Sequence, residues 1–118
     1  MLKKYEAKVV GCPVEDTLRL IGSKWTVLII RDLLVGVQRF GELERSLTGI
    51  SPRTLSMRLQ YLEQEGIIER TVYAEVPPRV EYQLTELGSS LAPILETMNT
   101  WGIRFQRRQA KGSSKRIS

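Results

Sequence analysis

Histidine is absent from the 118 residues, and cysteine occurs once, at Cys12. The first absence removes a histidine-based catalytic triad and any zinc site built with imidazole. The second excludes an intrachain disulfide. No Gly-rich phosphate loop is present. No apolar run approaches the roughly 18 residues that read as a membrane span. The richest, Val27 to Val35, is short and broken by Arg31 and Asp32. With no signal-peptide pattern either, the expected location is the cytoplasm, without a membrane partner. An enzyme would have to work with scattered carboxylates, lysines and one thiol. No catalytic residue, metal or cofactor is therefore expected.

What remains is the composition of one soluble domain, 42% hydrophobic and 26% charged. The net charge of +5 raises the odds of an anionic partner such as nucleic acid. Cations gather at both ends: Lys3, Lys4 and Lys8, then Arg104, Arg107, Arg108, Lys111, Lys115 and Arg116. Such ends often serve only solubility, so the middle of the chain carries more weight.

The stretch Ser51 to Gly66 organises that middle. Ser51 suits a helix N-cap, Pro52 the first helical position and Gly66 the left-handed stop. Leu55, Leu59 and Leu62 make one apolar stripe. Arg53, Met57, Gln60 and Gln64 fall opposite, flanked by Thr54, Ser56 and Tyr61. Ser51 through Leu62 holds two arginines and no acid. Such a helix can rest on a core and offer donors to an anion. Taken alone, it reads more readily as a surface helix with a solvated polar face.

Its neighbours bear on that choice. A short helix from Pro13 to Ile21 and an apolar-rich one from Lys24 to Val35 precede it, the second expected to be buried on most sides. Val37-Gln38-Arg39 reads as a link or edge strand, and Phe40 to Leu47 as a third helix. The Thr48-Gly49-Ile50 turn then joins two helices as in a helix-turn-helix. After Gly66, Ile67 to Tyr73 and Val80 to Thr85 read as two strands around a Pro77-Pro78 tip. Helix-turn-helix plus ribbon predicts an α+β, mostly α fold, the winged helix-turn-helix. Thr85 is expected to cap one long last helix, running to about Arg108, with Pro93 bending it or replacing one backbone bond there. Its apolar stripe is too long for a small domain to cover. Residues 1–11 are expected to form a basic arm, 12–108 the winged-helix domain, and 109–118 a basic disordered tail.

The chain resembles the HxlR-type winged-helix transcriptional regulators of bacteria and archaea. The resemblance rests on Cys12-Pro13-Val14-Glu15, Gly22-Ser23-Lys24-Trp25, Arg39-Phe40-Gly41-Glu42-Leu43, Gly49-Ile50-Ser51 and Leu59 through Glu63 with Gly66. It continues through Tyr73 to Tyr82, whose Glu-Val-Pro-Pro-Arg-Val-Glu-Tyr segment is the most specific part, then Leu84 to Gly88 and Trp101-Gly102. The resemblance implies a homodimer held by its first and last helices, so that the last becomes a dimerisation helix. It implies a repressor or activator on a palindromic operator, with 51–66 as recognition helix and 75–79 as wing. The interface would use Val14, Leu18, Leu91, Leu95, Met98, Trp101 and Phe105. Gln60 and Tyr61 depart from the family pattern, where arginine and a charged residue are more usual. The operator therefore does not carry over from relatives.

Placed in a major groove, Arg53 and Gln60 suit guanine and adenine respectively, Ser56 either base, and Met57 a thymine methyl. A phosphate contact is the competing role for Arg53. Thr54 flanks this face. Arg58 lies nearer the core stripe and suits a phosphate or a protein carboxylate. Arg39, Ser51 and Lys24 are candidate phosphate clamps. Arg79 is expected at the minor groove or its phosphates, against a cross-strand ion pair with a glutamate. Cys12 is a candidate redox or electrophile sensor, as its equivalent is in some family members; the competing reading is a small residue that starts a helix. A helix N-terminus favours its thiolate, while Glu15 and Asp16 oppose it. The expected partners are double-stranded DNA and a second copy, with no effector identified. The alternative function is a winged-helix protein-interaction module without DNA binding.

Overall fold

A side-chain cap or a first-turn proline opens most helices of this chain. The computed structural model describes the backbone of residues 11–117 and the side chains of residues 11–112. Helix α1 spans Pro13–Ile21 and α2 Lys24–Val35. The two-residue strand β1, Gln38–Arg39, leads into α3, Phe40–Ser46. Then come α4, Pro52–Gln64, and the strands β2, Ile68–Tyr73, and β3, Arg79–Leu84. Helices α5, Glu86–Ser89, and α6, Ala92–Ile117, complete the order. This is the expected α+β, mostly helical winged helix-turn-helix. The expected arm at residues 1–11 lies, but for Gly11, outside the described residues.

Proline opens both α1 and α4, at positions where a missing N–H forfeits no intrahelical bond. The three strands are antiparallel in the order β1-β3-β2. Gln38 pairs with Tyr82 and Arg39 with Glu81, so the link before α3 is an edge strand.

One core joins the helices to the sheet. Ile29, Ile30 and Leu33 of α2, Leu43 of α3, Leu55, Leu59 and Leu62 of α4, and Ile68 and Tyr82 of the ribbon are all buried in it. At about 1.5–3 kcal/mol for each large aliphatic side chain, this shared burial fixes α4 against α2 and the sheet. Helix α2 is less enclosed than its composition suggests: Leu34 and Val35 are exposed, while Thr26 is fully buried.

The C-terminal region departs from the sequence-based expectation in two ways. First, the single long helix from Thr85 is two helices. Thr85 Oγ1 accepts the Gly88 amide at 3.1 Å and caps α5, which stops at Ser89. Leu91 then turns into the core, and α6 starts afresh at Ala92. Pro93 thus occupies the second position of α6, where it breaks no hydrogen bond and forces no bend. Second, α6 does not end near Arg108; the segment expected to be a disordered tail is helical as far as Ile117. Gln109, Ala110 and Lys111 are good helix formers, and low apolar content alone does not end a helix.

Candidate nucleic-acid interface

Helix α4 presents its polar face because its other face is fully committed. Leu55, Leu59 and Leu62 are at most 2% exposed, whereas Arg53, Ser56, Met57 and Gln60 stand in solvent. Thr54 and Arg58 are half-buried at the edges of that face.

The helix is pinned at both ends. At the start, the Thr54 amide donates to Ser51 Oγ at 3.1 Å, and the Ser51 hydroxyl donates to Thr54 Oγ1 at 2.9 Å. Ser51 is therefore occupied as a cap, though its exposed position leaves room for a second contact. At the other end Gly66 adopts φ +75°, a left-handed conformation that favours glycine. The Ile67 amide then donates to Leu62 O at 2.9 Å and sends the chain into β2. Thr85 ties this exit down. Its amide donates to Ile67 O at 3.0 Å, and its hydroxyl reaches Gly66 O at 2.6 Å. Gly88 packs so closely on the Ile67 carbonyl that a Cβ there would collide with it. The exit of α4, the end of β3 and the start of α5 thus share one joint.

Before α4, the Arg39 amide donates to Glu42 Oε1 at 2.8 Å and starts α3. The Gly49 turn, at φ +93°, carries the chain from α3 to α4. Arg39 itself is exposed beside the β1–β3 pairing. Lys24 is exposed too, but its ammonium sits 4.6 Å from the Trp25 ring centroid.

Arg79 opens β3 opposite Tyr73, at the base of the wing. Its guanidinium lies 3.4 Å from Glu75 and 3.6 Å from Glu81, and 4.1 Å from the Tyr73 ring centroid. The approach to Glu81 is too long for a hydrogen bond, and Nε is buried without one. The arginine is thus ion-paired, but not across the strands as the competing reading had it: Glu75 lies in the tip, Glu81 is on β3 itself, and the residue across the ladder is Tyr73. The tip beyond it, from Ala74 to Pro78, is exposed.

Sequence reasoning missed Arg70. It faces Tyr82 across the β2–β3 ladder, on the side of β2 that buries Ile68. It lines a notch of about 270 Å³ with Ser56, Gln60 and Glu63, between α4 and the ribbon. The available signal was a charged residue between Ile68 and Val72, on the otherwise apolar side of a strand.

The proposed interface residues divide. Val14 and Leu18 on α1 are 65% and 59% exposed, and Met98, Trp101 and Phe105 on α6 are likewise open. Trp101 and Phe105 stack with centroids 5.2 Å apart. Leu95 is half-buried against the protomer's core. Leu91 is a correction. It is only 7% exposed and belongs to that core, because it sits in the break between α5 and α6 rather than on the α6 stripe. Between α2 and α6 runs an apolar groove of about 750 Å³, lined by Val27, Leu28, Leu34, Leu95, Met98 and Ile103 among others. Cys12 precedes α1 with an exposed thiol that makes no capping bond.

An uncommitted polar helix face beside a two-stranded wing, set on a three-helix core, defines a winged helix-turn-helix protein. Residues 20–110 match the HxlR-like helix-turn-helix family. The uncharacterized HTH-type transcriptional regulator YdeP of Bacillus subtilis (strain 168) is 44% identical over 98 residues, covering 83% of this chain and 77% of that one. Among solved structures, the redox regulator HypR in its oxidized form is 45% identical, with a TM-score of 0.74, covering 79% of this chain and 96% of that one. Its reduced form is 41% identical, with a TM-score of 0.79, covering 84% and 98%. The chain belongs to the HxlR-like helix-turn-helix family and is a transcriptional regulator. No described helix is long and apolar enough to cross a membrane.

Proposed function

We propose that the protein regulates transcription by binding double-stranded DNA as a homodimer on a palindromic operator. Helix α4 enters the major groove and the 75–79 wing meets the minor groove. The observation that carries this reading is the exposed row of Arg53, Ser56, Met57 and Gln60 above a fully buried leucine stripe. Arg53 and Gln60 have the hydrogen-bonding groups for bidentate contacts to guanine and adenine edges, and Ser56 and Met57 complete the base-facing row. Ser51, Thr54, Arg58 and Arg39 stand around it as phosphate contacts. Arg79 shapes the wing from within.

The second copy covers the apolar surface that one protomer leaves open. Val14 and Leu18 of α1 meet Leu95, Met98, Trp101 and Phe105 of α6. A two-fold arrangement makes the operator two-fold as well. Selection of bound sequences from a random duplex pool tests the reading. It should return an inverted repeat; recovery at background level would instead favour a winged helix that binds protein alone.

A second role concerns Cys12. Its thiol is exposed at the start of α1, two residues from the Val14 interface position. HypR, a redox regulator by name, is similar over most of this chain. A thiol-directed electrophile should change operator binding in the wild type and leave Cys12→Ser unaffected. Equal responses would remove the sensing role.

A further inference from the structure

The net charge of this chain is not on its winged-helix body. Residues 12–96 hold nine Lys and Arg against twelve Asp and Glu, a net of −3. Residues 97–118 hold six Lys and Arg and no acid. The positive excess of the chain therefore lies at its two ends, a net of +2 over residues 1–11 and of +6 over 97–118, and the larger share belongs to the C-terminal stretch of α6.

These cations are arranged. Arg104, Arg107, Arg108 and Lys111 follow i, i+3, i+4, i+7 spacing and share one stripe of α6. All four are exposed, and among the described residues none is paired with an acid. The stripe is distinct from the groove face, which uses Leu95, Asn99, Gly102 and Gln106. It flanks the aromatic face of Trp101 and Phe105, whose rings stack on each other. Helix-dipole compensation does not account for it. That effect fades within the last turn, and Lys111 already lies six residues before Ile117. Dimerisation through the aromatic face would bring two such stripes into one assembly. Their mutual repulsion is relieved by a polyanion.

We propose that this stripe is a second, sequence-independent DNA contact that binds the phosphate backbone of duplex DNA. The proposal rests on the DNA-binding reading above and adds a division of labour to it. Helix α4 selects the site, and α6 supplies general affinity. Each phosphate neutralised releases condensed counterions, so the contribution is read from the salt dependence of binding.

The test compares wild type with Arg104→Gln/Arg107→Gln/Arg108→Gln/Lys111→Gln. Both are titrated with a selected operator duplex and with a duplex of unrelated sequence, across a salt series. Circular dichroism and sedimentation confirm that the variant folds and assembles like wild type. The expected result is weaker binding to both duplexes, with an unchanged ratio between them. The salt slope should fall by about two units or more per dimer, at about 0.9 for each phosphate no longer neutralised. An unchanged slope, with Arg53→Ala still losing operator binding, would overturn the second contact and leave the reading helix standing. A wild type that binds no duplex at all would overturn both.

Discussion

The Arg79 guanidinium lies over the Tyr73 ring, 4.1 Å from its centroid, and the two residues face each other across the last pair of the wing ladder. Glu75 and Glu81 flank the same guanidinium at 3.4 and 3.6 Å. Removing the arginine would leave two carboxylates uncompensated where, in the proposed complex, DNA phosphates approach. We expect Arg79→Ala to weaken binding to all duplexes. Adding Glu75→Gln and Glu81→Gln should restore most of the loss in a gel-shift titration. A loss that persists without the glutamates would assign Arg79 to direct phosphate contact.

Arg53 stands exposed in the first turn of α4, among the described residues without an acidic partner. Arg53→Ala should cost about 1–3 kcal/mol of operator binding and relax selectivity at one base pair. The measurement is a repeat of the duplex selection with the variant. A uniform loss with unchanged selectivity would make Arg53 a backbone contact.

The joint behind α4 makes a prediction about stability. A Cβ at Gly88 would collide with the Ile67 carbonyl, which is backbone and cannot swing aside. Ser51→Ala removes the cap bond from the Thr54 amide together with the exposed Ser51–Thr54 hydroxyl bond and should cost about 0.5–2 kcal/mol. Gly88→Ala should therefore destabilise more than Ser51→Ala in urea unfolding. The reverse order would mean that the α4–α5 junction yields easily.

Much of this architecture is legible in residue patterns. Pro52 and Gly66 mark α4 because a ring-locked φ and a left-handed φ have few other uses at those places. The Leu55, Leu59, Leu62 stripe and the Val80, Tyr82, Leu84 alternation give the packed faces, since each follows its element's own period. The break at Ser90 and Leu91 is hidden. Both flanking segments have helical patterns, and only the three-dimensional pull of Leu91 into the core separates them. Arg70 is hidden because its place in the notch beside Ser56 and Gln60 depends on strand register and on how close α4 lies. The pairing of Arg79 with Glu75 and Glu81 differs from the cross-strand pair expected from sequence, because only the fold of the tip brings Glu75 back onto the start of β3.

Trp101 is 61% exposed on α6 and stacked on Phe105. A charge there should prevent the second copy from covering that face. Trp101→Glu is expected to sediment as a monomer with native circular dichroism. A dimer of unchanged mass would move the interface elsewhere.

In the proposed complex, two copies of α4 read successive major grooves on one face of the duplex. Guanine N7 methylation interference on a selected operator probes this arrangement at its heart, because the added methyl blocks only the major groove. Two symmetric patches of interference are expected, centred about 34 Å apart along the duplex. A single patch, or none in the major groove, would contradict the arrangement.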